Sequence, residues 1–181
     1  MAFGTYSLYH CRQRLQGLAR GPHNYIAVKE RKKHMPQTDQ PLNQDVIKDF
    51  RENNGQISGT YPLSKPIKGI PLLLLHTKGA QSGLERVNPL AYLAEEKRLF
   101  VIASDAGGQK HPAWFRNALA HPQEVTVELG TETFAVRAKA LEGEEREIFF
   151  QKMAAIFPVF LEYQQKAHPR LIPVVELIRQ P

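Results

Sequence analysis

Two short segments hold most of the side chains that could do chemistry in this sequence of 181 residues. The first, residues 77–83, contains Lys78, Gly79, Gln81, Ser82 and Gly83, and Arg86 follows it. Its two glycines let the backbone turn sharply and present N–H groups, while Lys78, Ser82 and Arg86 supply donors. That chemistry suits an anion, although a Lys-Gly-x-x-Ser-Gly segment is by itself more often a solvated turn. It is not a phosphate-binding P-loop, which ends in Gly-Lys-Ser/Thr and opens a helix. The second segment runs from Ser104 through Asp105, Gly107, Gly108 and Lys110, then through His111-Pro112 into a short helix. Trp114 and Asn117, three residues apart, share a face of that helix. N–H groups at its start, beside Lys110, would make a second site friendly to anions. Trp114 reads equally well as a core residue. Two such loops leaving neighbouring strands point to one shared ligand.

Other chemistries are disfavoured. The seven histidines (10, 23, 34, 76, 111, 121 and 168) lack the tight helical spacings of a zinc site, so no metal centre is expected. Cys11 has no obvious partner for thiol chemistry. The chain has neither a Gly-x-Ser-x-Gly elbow nor the Gly-x-Gly-x-x-Gly of a dinucleotide fold.

The elements that must position these loops are legible as apolar runs. Residues 70–76, 86–93 and 99–104 are strand-length and rich in Leu, Val and Ile. Val125, Val127 and Leu129 alternate with polar residues, Gly130-Thr131 reads as a hairpin turn, and Phe134, Val136 and Ala138 make the return strand. Residues 172–178, with Pro173 early, read as a closing edge strand. Helices are expected over 44–53 with Asn43 as cap, over 142–157, and over 160–166 after the break at Pro158. Residues 57–68, with Gly59, Pro62 and Pro66, read as an irregular connector. Short links between strands imply antiparallel pairing. The predicted class is mainly β with flanking helices (α+β): a small barrel of about six antiparallel strands with helices outside.

Composition sets the rest. The net charge of +6 belongs to residues 1–34, where seven Lys or Arg face only Glu30; the remainder carries 17 basic and 17 acidic side chains. The division expected is therefore a basic extension over 1–34 and a barrel domain over 35–181, without a nucleic-acid-binding face. The preferred reading of 1–34 is a poorly ordered extension ahead of a start at Met35. Its cations and apolar residues also fit contact with an anionic membrane surface. With no apolar run near the length that spans a bilayer and no secretory h-region, the expected compartment is the cytoplasm.

The pattern Thr77-Lys78-Gly79-x-x-Ser82-Gly83-x-x-Arg86-x-Asn88-Pro89-Leu90, then Ser104-x-x-Gly107-Gly108-x-x-His111-Pro112-x-Trp114-x-x-Asn117, resembles the deazaflavin (coenzyme F420)-dependent nitroreductase family. The resemblance spans about residues 40–178. It implies a split β-barrel and coenzyme F420 as cofactor, ahead of FMN or FAD. It also implies hydride transfer to a quinone-like, nitro or other electron-poor hydrophobic substrate. Carried over by position, Gln81, Ser82, Gly83 and Arg86 would hold the cofactor's phosphate and acidic tail, with Lys78 nearby. Asn88 and Pro89 would line the ring. Gly108, Lys110, Trp114 and Asn117 would complete the other wall, together with Ser104, the candidate donor to the accepting oxygen. Ala91, Phe157, Phe160 and Tyr163 would face the substrate. Ala80 and Gln81 stand where the family usually carries basic residues, and Ala91, Phe157 and Phe160 stand where relatives carry tyrosines. Lost hydroxyls make the pocket more apolar, which suits a quinone better than a nitroimidazole. Two copies of such a barrel could pair. A reading from another class is a binding module that holds a flavin, a tetrapyrrole or a hydrophobic anion without turnover.

Overall fold

A computed structural model describes residues 41–181. The expectations for 1–34, whether extension or membrane-surface arm, lie outside the described residues. In chain order the elements are α1 (Pro41–Glu52), β1 (Leu72–Lys78), β2 (Glu85–Glu95), β3 (Arg98–Ile102), α2 (Ala113–Ala120), β4 (Val125–Leu129), β5 (Glu132–Ala140), α3 (Gly143–Ile156), α4 (Val159–Ala167) and β6 (Val174–Arg179). The six strands close into a barrel in the order β1-β2-β3-β6-β5-β4, and every neighbouring pair is antiparallel. The predicted α+β barrel is the fold observed.

Alternation along the strands explains the two layers. Leu73 and Leu75 of β1, Leu90 of β2, Val101 of β3, Val125 and Val127 of β4, Val136 and Ala138 of β5, and Val175 and Leu177 of β6 form one buried cluster. A cluster fed by every strand is the barrel interior, since successive side chains point to opposite faces. Trp114, Phe115 and Ala118 of α2 join it, so α2 plugs one end of the barrel. The intervening residues, Leu72, Leu74, Ala91, Phe100, Ile102 and Val174, point outward. There they meet Val46, Ile47 and Phe50 of α1, Phe149, Phe150 and Met153 of α3, and Phe160 of α4. Phe100 and Phe149 stack across that seam with ring centroids 3.8 Å apart.

Three expectations need correction. The run 172–178 is no edge strand: β6 is bonded to β3 on one side and β5 on the other, with Leu177 opposite both Leu99 and Ala138. Pro173, which cannot donate to a ladder, stands just before β6, and its carbonyl accepts from Ala103 N–H at 2.9 Å. Asn43 is not a cap, because α1 already includes it. The "irregular" stretch 57–68 is tightly ordered by buried Asp49 of α1. Asp49 accepts from Asn53 Nδ2 at 2.8 Å, Ser58 N at 3.2 Å, Ser58 Oγ at 2.6 Å, Gly59 N at 2.9 Å, and from Ser64 Oγ. Burial favours its neutral form, but the bonds from Ser58, Ser64 and Gly59 win and hold its pKa below the usual range. Among the described residues no helix is long and apolar enough to cross a membrane.

Candidate functional site

Helix α2 is the hub of the candidate site. The second loop leads directly into it, and the first is tied to it by Asn117, whose side-chain oxygen accepts the Ala80 N–H at 3.1 Å. Trp114 and Asn117 do share a face, and both are buried. Trp114 lies among the barrel-interior residues, which is its core reading. Asn117 bridges helix and loop.

The first loop is more self-contained than its composition implies. Gly79 N–H donates to Leu84 O and Gly83 N–H to Gly79 O, both at 2.8 Å, and Ser82 Oγ accepts from Leu84 N at 3.4 Å. A Cβ on Gly79 would come within 2.5 Å of Ser82 Oγ, so a side chain there would push the Ser82 hydroxyl aside. The N–H groups of Gly79, Ala80, Gly83 and Leu84 are therefore committed within the protein, not open to a ligand. Gln81 and Ser82 remain exposed at the tip, with Arg86 half-buried beside them on β2.

Charge is also arranged differently from expectation. Lys78 is ion-paired with Glu124, and that bond from Lys78 holds the Glu124 carboxyl below its ordinary pKa. Its positive charge is thus largely compensated. Asn88 and Pro89 cannot line one pocket together. Asn88 shares the parity of interior Leu90 and is buried, whereas Pro89 shares the outward parity of Ala91.

The second loop has an unusual backbone. Asp105, Ala106 and Gly107 have φ of 50°, 49° and 78°, so two residues carrying a Cβ sit in the left-handed region beside a glycine. Each such residue costs on the order of 1–2 kcal/mol and must be held by its surroundings. Arg170 does much of that holding. It donates from Nε to Gly108 O at 2.9 Å, from Nη1 to Ala103 O at 3.2 Å and from Nη2 to Ser104 O at 2.7 Å. Helix α4 adds Lys166 Nζ to Ala106 O at 3.2 Å, and Gln109 Nε2 returns a bond to Lys166 O at 2.9 Å. A Cβ on Gly107 would meet Tyr163 O at 2.8 Å, which explains glycine at that contact. Ser104 is buried at the start of this turn, and Lys110 is exposed at its far side. His111, beside Arg170, is pushed below the ordinary imidazole pKa by burial first and then by the charges of Arg170 and Arg116.

The four residues expected to face substrate do come together. Ala91, Phe157 and Phe160 belong to one outer cluster, and Tyr163 packs against it. Phe160 lies 6.1 Å from both Phe157 and Tyr163, edge to face. Ala91, Phe157 and Phe160 are covered, so Tyr163, half-buried, is the member nearest solvent.

Three features escaped sequence reasoning. Nothing in the sequence around Arg170 sets it apart, and only its contacts reveal its work. Thr77 Oγ1, at the loop end of β1, is a buried polar atom with no hydrogen-bond partner among the described residues. His76 sits between two carboxylates, Glu85 and Glu128, each at 2.6 Å, with Arg51 closing onto Glu128. Burial opposes ionisation of Glu128, yet Arg51 and His76 bring its pKa down. Among the described residues no cluster of His, Cys, Asp or Glu is arranged to hold a metal.

Donors gathered around the plugged end test the fit of an acidic cofactor. Gln81, Ser82 and Lys110 are exposed around the plugged end, Arg86 stands opposite Thr77 in the β1–β2 ladder, and the orphaned Thr77 hydroxyl lies at that point. Donors of this kind suit a phosphate-bearing, acidic group.

Comparison with known proteins agrees. The sequence profile described as F420H(2)-dependent quinone reductase matches residues 44–178. The F420H(2)-dependent quinone reductase Rv1261c of Mycobacterium tuberculosis is 29% identical over 136 residues, covering 72% of this chain and 85% of that protein. A solved structure described as an F420-H2 dependent reductase, FDR-A, is 39% identical, covers 59% of this chain and 93% of its own, and superposes with a TM-score of 0.54. A second, described as a domain-swapped dimer, is 33% identical, covers 75% of this chain and 98% of its own, with a TM-score of 0.55. The chain belongs to the F420H(2)-dependent quinone reductase family.

Proposed function

We propose that this protein is an F420H2-dependent oxidoreductase that reduces a quinone. The observation that carries this is the family match over residues 44–178, which takes in both loops and the α2 bridge between them. When bound, the reduced deazaflavin supplies a hydride. The chain's own residues bind, orient and shield. At the first loop Gln81, Ser82 and Arg86 would hold the acidic part of the cofactor, and Gly83, its N–H bonded to Gly79 O, shapes the turn that presents them. Lys78 contributes less, because Glu124 already neutralises it. Lys110 and Gly108 face it from the second loop. Asn117 places the first loop, and Trp114 supports α2 from within the barrel. Asn88 and Pro89 act from opposite faces of β2.

Ser104 is the residue whose hydroxyl polarises the accepting oxygen. Tyr163 is the aromatic edge of the substrate wall, backed by Ala91, Phe157 and Phe160. That wall is apolar, consistent with a hydrophobic quinone. The relative described as a domain-swapped dimer supports a homodimer.

Reduced F420 mixed with the protein and menadione tests the reading. An enzyme-dependent return of the oxidised cofactor's absorbance is expected, and Arg86→Ala should weaken F420 binding at least about tenfold, one lost charge-assisted contact. Saturable quenching of F420 fluorescence without turnover would instead favour a module that only binds.

A further inference from the structure

We propose that Arg170 is a positioning residue: its guanidinium clamps both ends of the second loop and so sets the place of Ser104. The inference rests on the proposed function for its kinetic consequence only. The three carbonyls it grips do not all lie together in the chain. Ala103 and Ser104 lie where the chain leaves β3, and Gly108 lies on the far side of the left-handed turn. One rigid, planar fork therefore spans the loop from end to end. Arg170 follows α4 and precedes β6, so the clamp is anchored from the outer helix layer and the closing strand.

The turn between those carbonyls has its own reason to move. Asp105 and Ala106 both occupy the left-handed region, and Gly107 N–H to Ser104 O at 3.0 Å and Gly108 N–H to Asp105 O at 2.9 Å are the bonds it makes within itself. Without the guanidinium, Ala103 O and Gly108 O lose the Arg170 bond, Ser104 O keeps only the Gly107 N–H, and the turn can relax toward ordinary backbone. Lysine cannot replace arginine here. An ammonium offers a point charge rather than a fork, and it reaches one or two of the three oxygens.

The first loop is held separately, by Asn117 and by its own turn bonds. The clamp should therefore govern turnover more than cofactor affinity. In Arg170→Ala, kcat with F420H2 and menadione is expected to fall about 10- to 100-fold, the scale of an ångström-sized misplacement. The F420 Kd should change by a smaller factor than kcat, because Gly108 and Lys110 are the cofactor contacts in the clamped loop while the first loop keeps its own bonds. Arg170→Lys should recover only part of kcat.

Two readouts need no turnover. Amides of residues 104–111 should exchange faster with solvent in both variants while those of β1 and β4 keep their protection. The imidazole of His111, 3.4 Å from Arg170, should titrate at higher pH in Arg170→Ala once that charge is gone. Unchanged exchange across 104–111 in a folded Arg170→Ala would overturn the proposal, as would wild-type kcat. Absent turnover in the wild type would defeat the quinone-reductase reading, and the exchange and titration results would still decide the clamp.

Discussion

Replacing Asn117 by alanine removes the one described side-chain bond between α2 and the first loop. Asn117 is buried but its partner Ala80 is exposed, so the freed N–H can bond water. The loss should therefore fall at the low end for a broken hydrogen bond, about 1 kcal/mol. For a chain of this size that lowers Tm by about 2–4 °C. The loop should keep its shape, because Gly79 N–H to Leu84 O and Gly83 N–H to Gly79 O survive. What it loses is its fixed placement against the helix. If binding must restore that placement, F420 affinity drops by the same 1 kcal/mol or so, a Kd raised about fivefold. Fluorescence titration of F420, beside thermal unfolding of the ligand-free protein, measures both quantities. Asn117→Asp separates placement from charge: it keeps an acceptor for Ala80, so Tm should hold, but it sets a carboxylate beside the anion site and should weaken F420 further. Wild-type F420 affinity in Asn117→Ala would refute the reasoning.

Two further outcomes concern the scaffold. Asp49 ionises more readily folded than unfolded, so its contribution is present above the unfolded pKa near 4 and is lost as pH falls through the lower folded value. Denaturant unfolding at pH 7 should show Asp49→Ala destabilised by about 2–4 kcal/mol, because buried donors from Ser64 and its neighbours lose their acceptor. The deficit should shrink toward pH 3. Gly55→Ala should cost more than about 1 kcal/mol and lower Tm, since the new Cβ would stand 2.3 Å from Gly130 Cα and φ is +84°. Gly69→Ala, at φ +77° with open space around its Cβ, is the control that isolates the steric part.

Patterns of period two made the barrel readable. Six apolar runs separated by short polar links leave antiparallel pairing as the natural arrangement, and Leu73, Leu75, Val101, Val125, Val127 and Val136 fall on the interior face as alternation demands. Closure was not readable. An early proline makes residues 172–178 look like an edge, and only the position of Pro173 just before the ladder lets β6 sit between two partners.

The two loops stood out because Gly, Ser and Lys cluster in them. Their internal economy did not. Which N–H groups are free depends on bonds such as Ala80 to Asn117, formed across 37 positions. The compensation of Lys78 by Glu124 spans 46 positions, and the grip of Arg170 spans more than 60. Neither leaves a local signature. Residues that act through their own type, such as the glycines and the aromatic set on α4, are visible in a sequence; those that act through a distant carbonyl are not.

The seam between β3 and β6 has a consequence for how the protein is made. It joins Arg98 to Glu176 across 78 positions of chain. At ribosomal rates of roughly 5–20 residues per second, β6 emerges about 4–16 s after β3. For that interval the outer edge of β3 has no partner from its own chain, and once β5 (Glu132–Ala140) has emerged its free edge waits as well. Unpaired strand edges recruit whatever strand arrives, and on a crowded polysome the β6 of a neighbouring nascent copy is also within reach. Synthesis speed between β3 and β6 would then set the proportion of exchanged molecules, and rare codons placed between α3 and β6 should raise it.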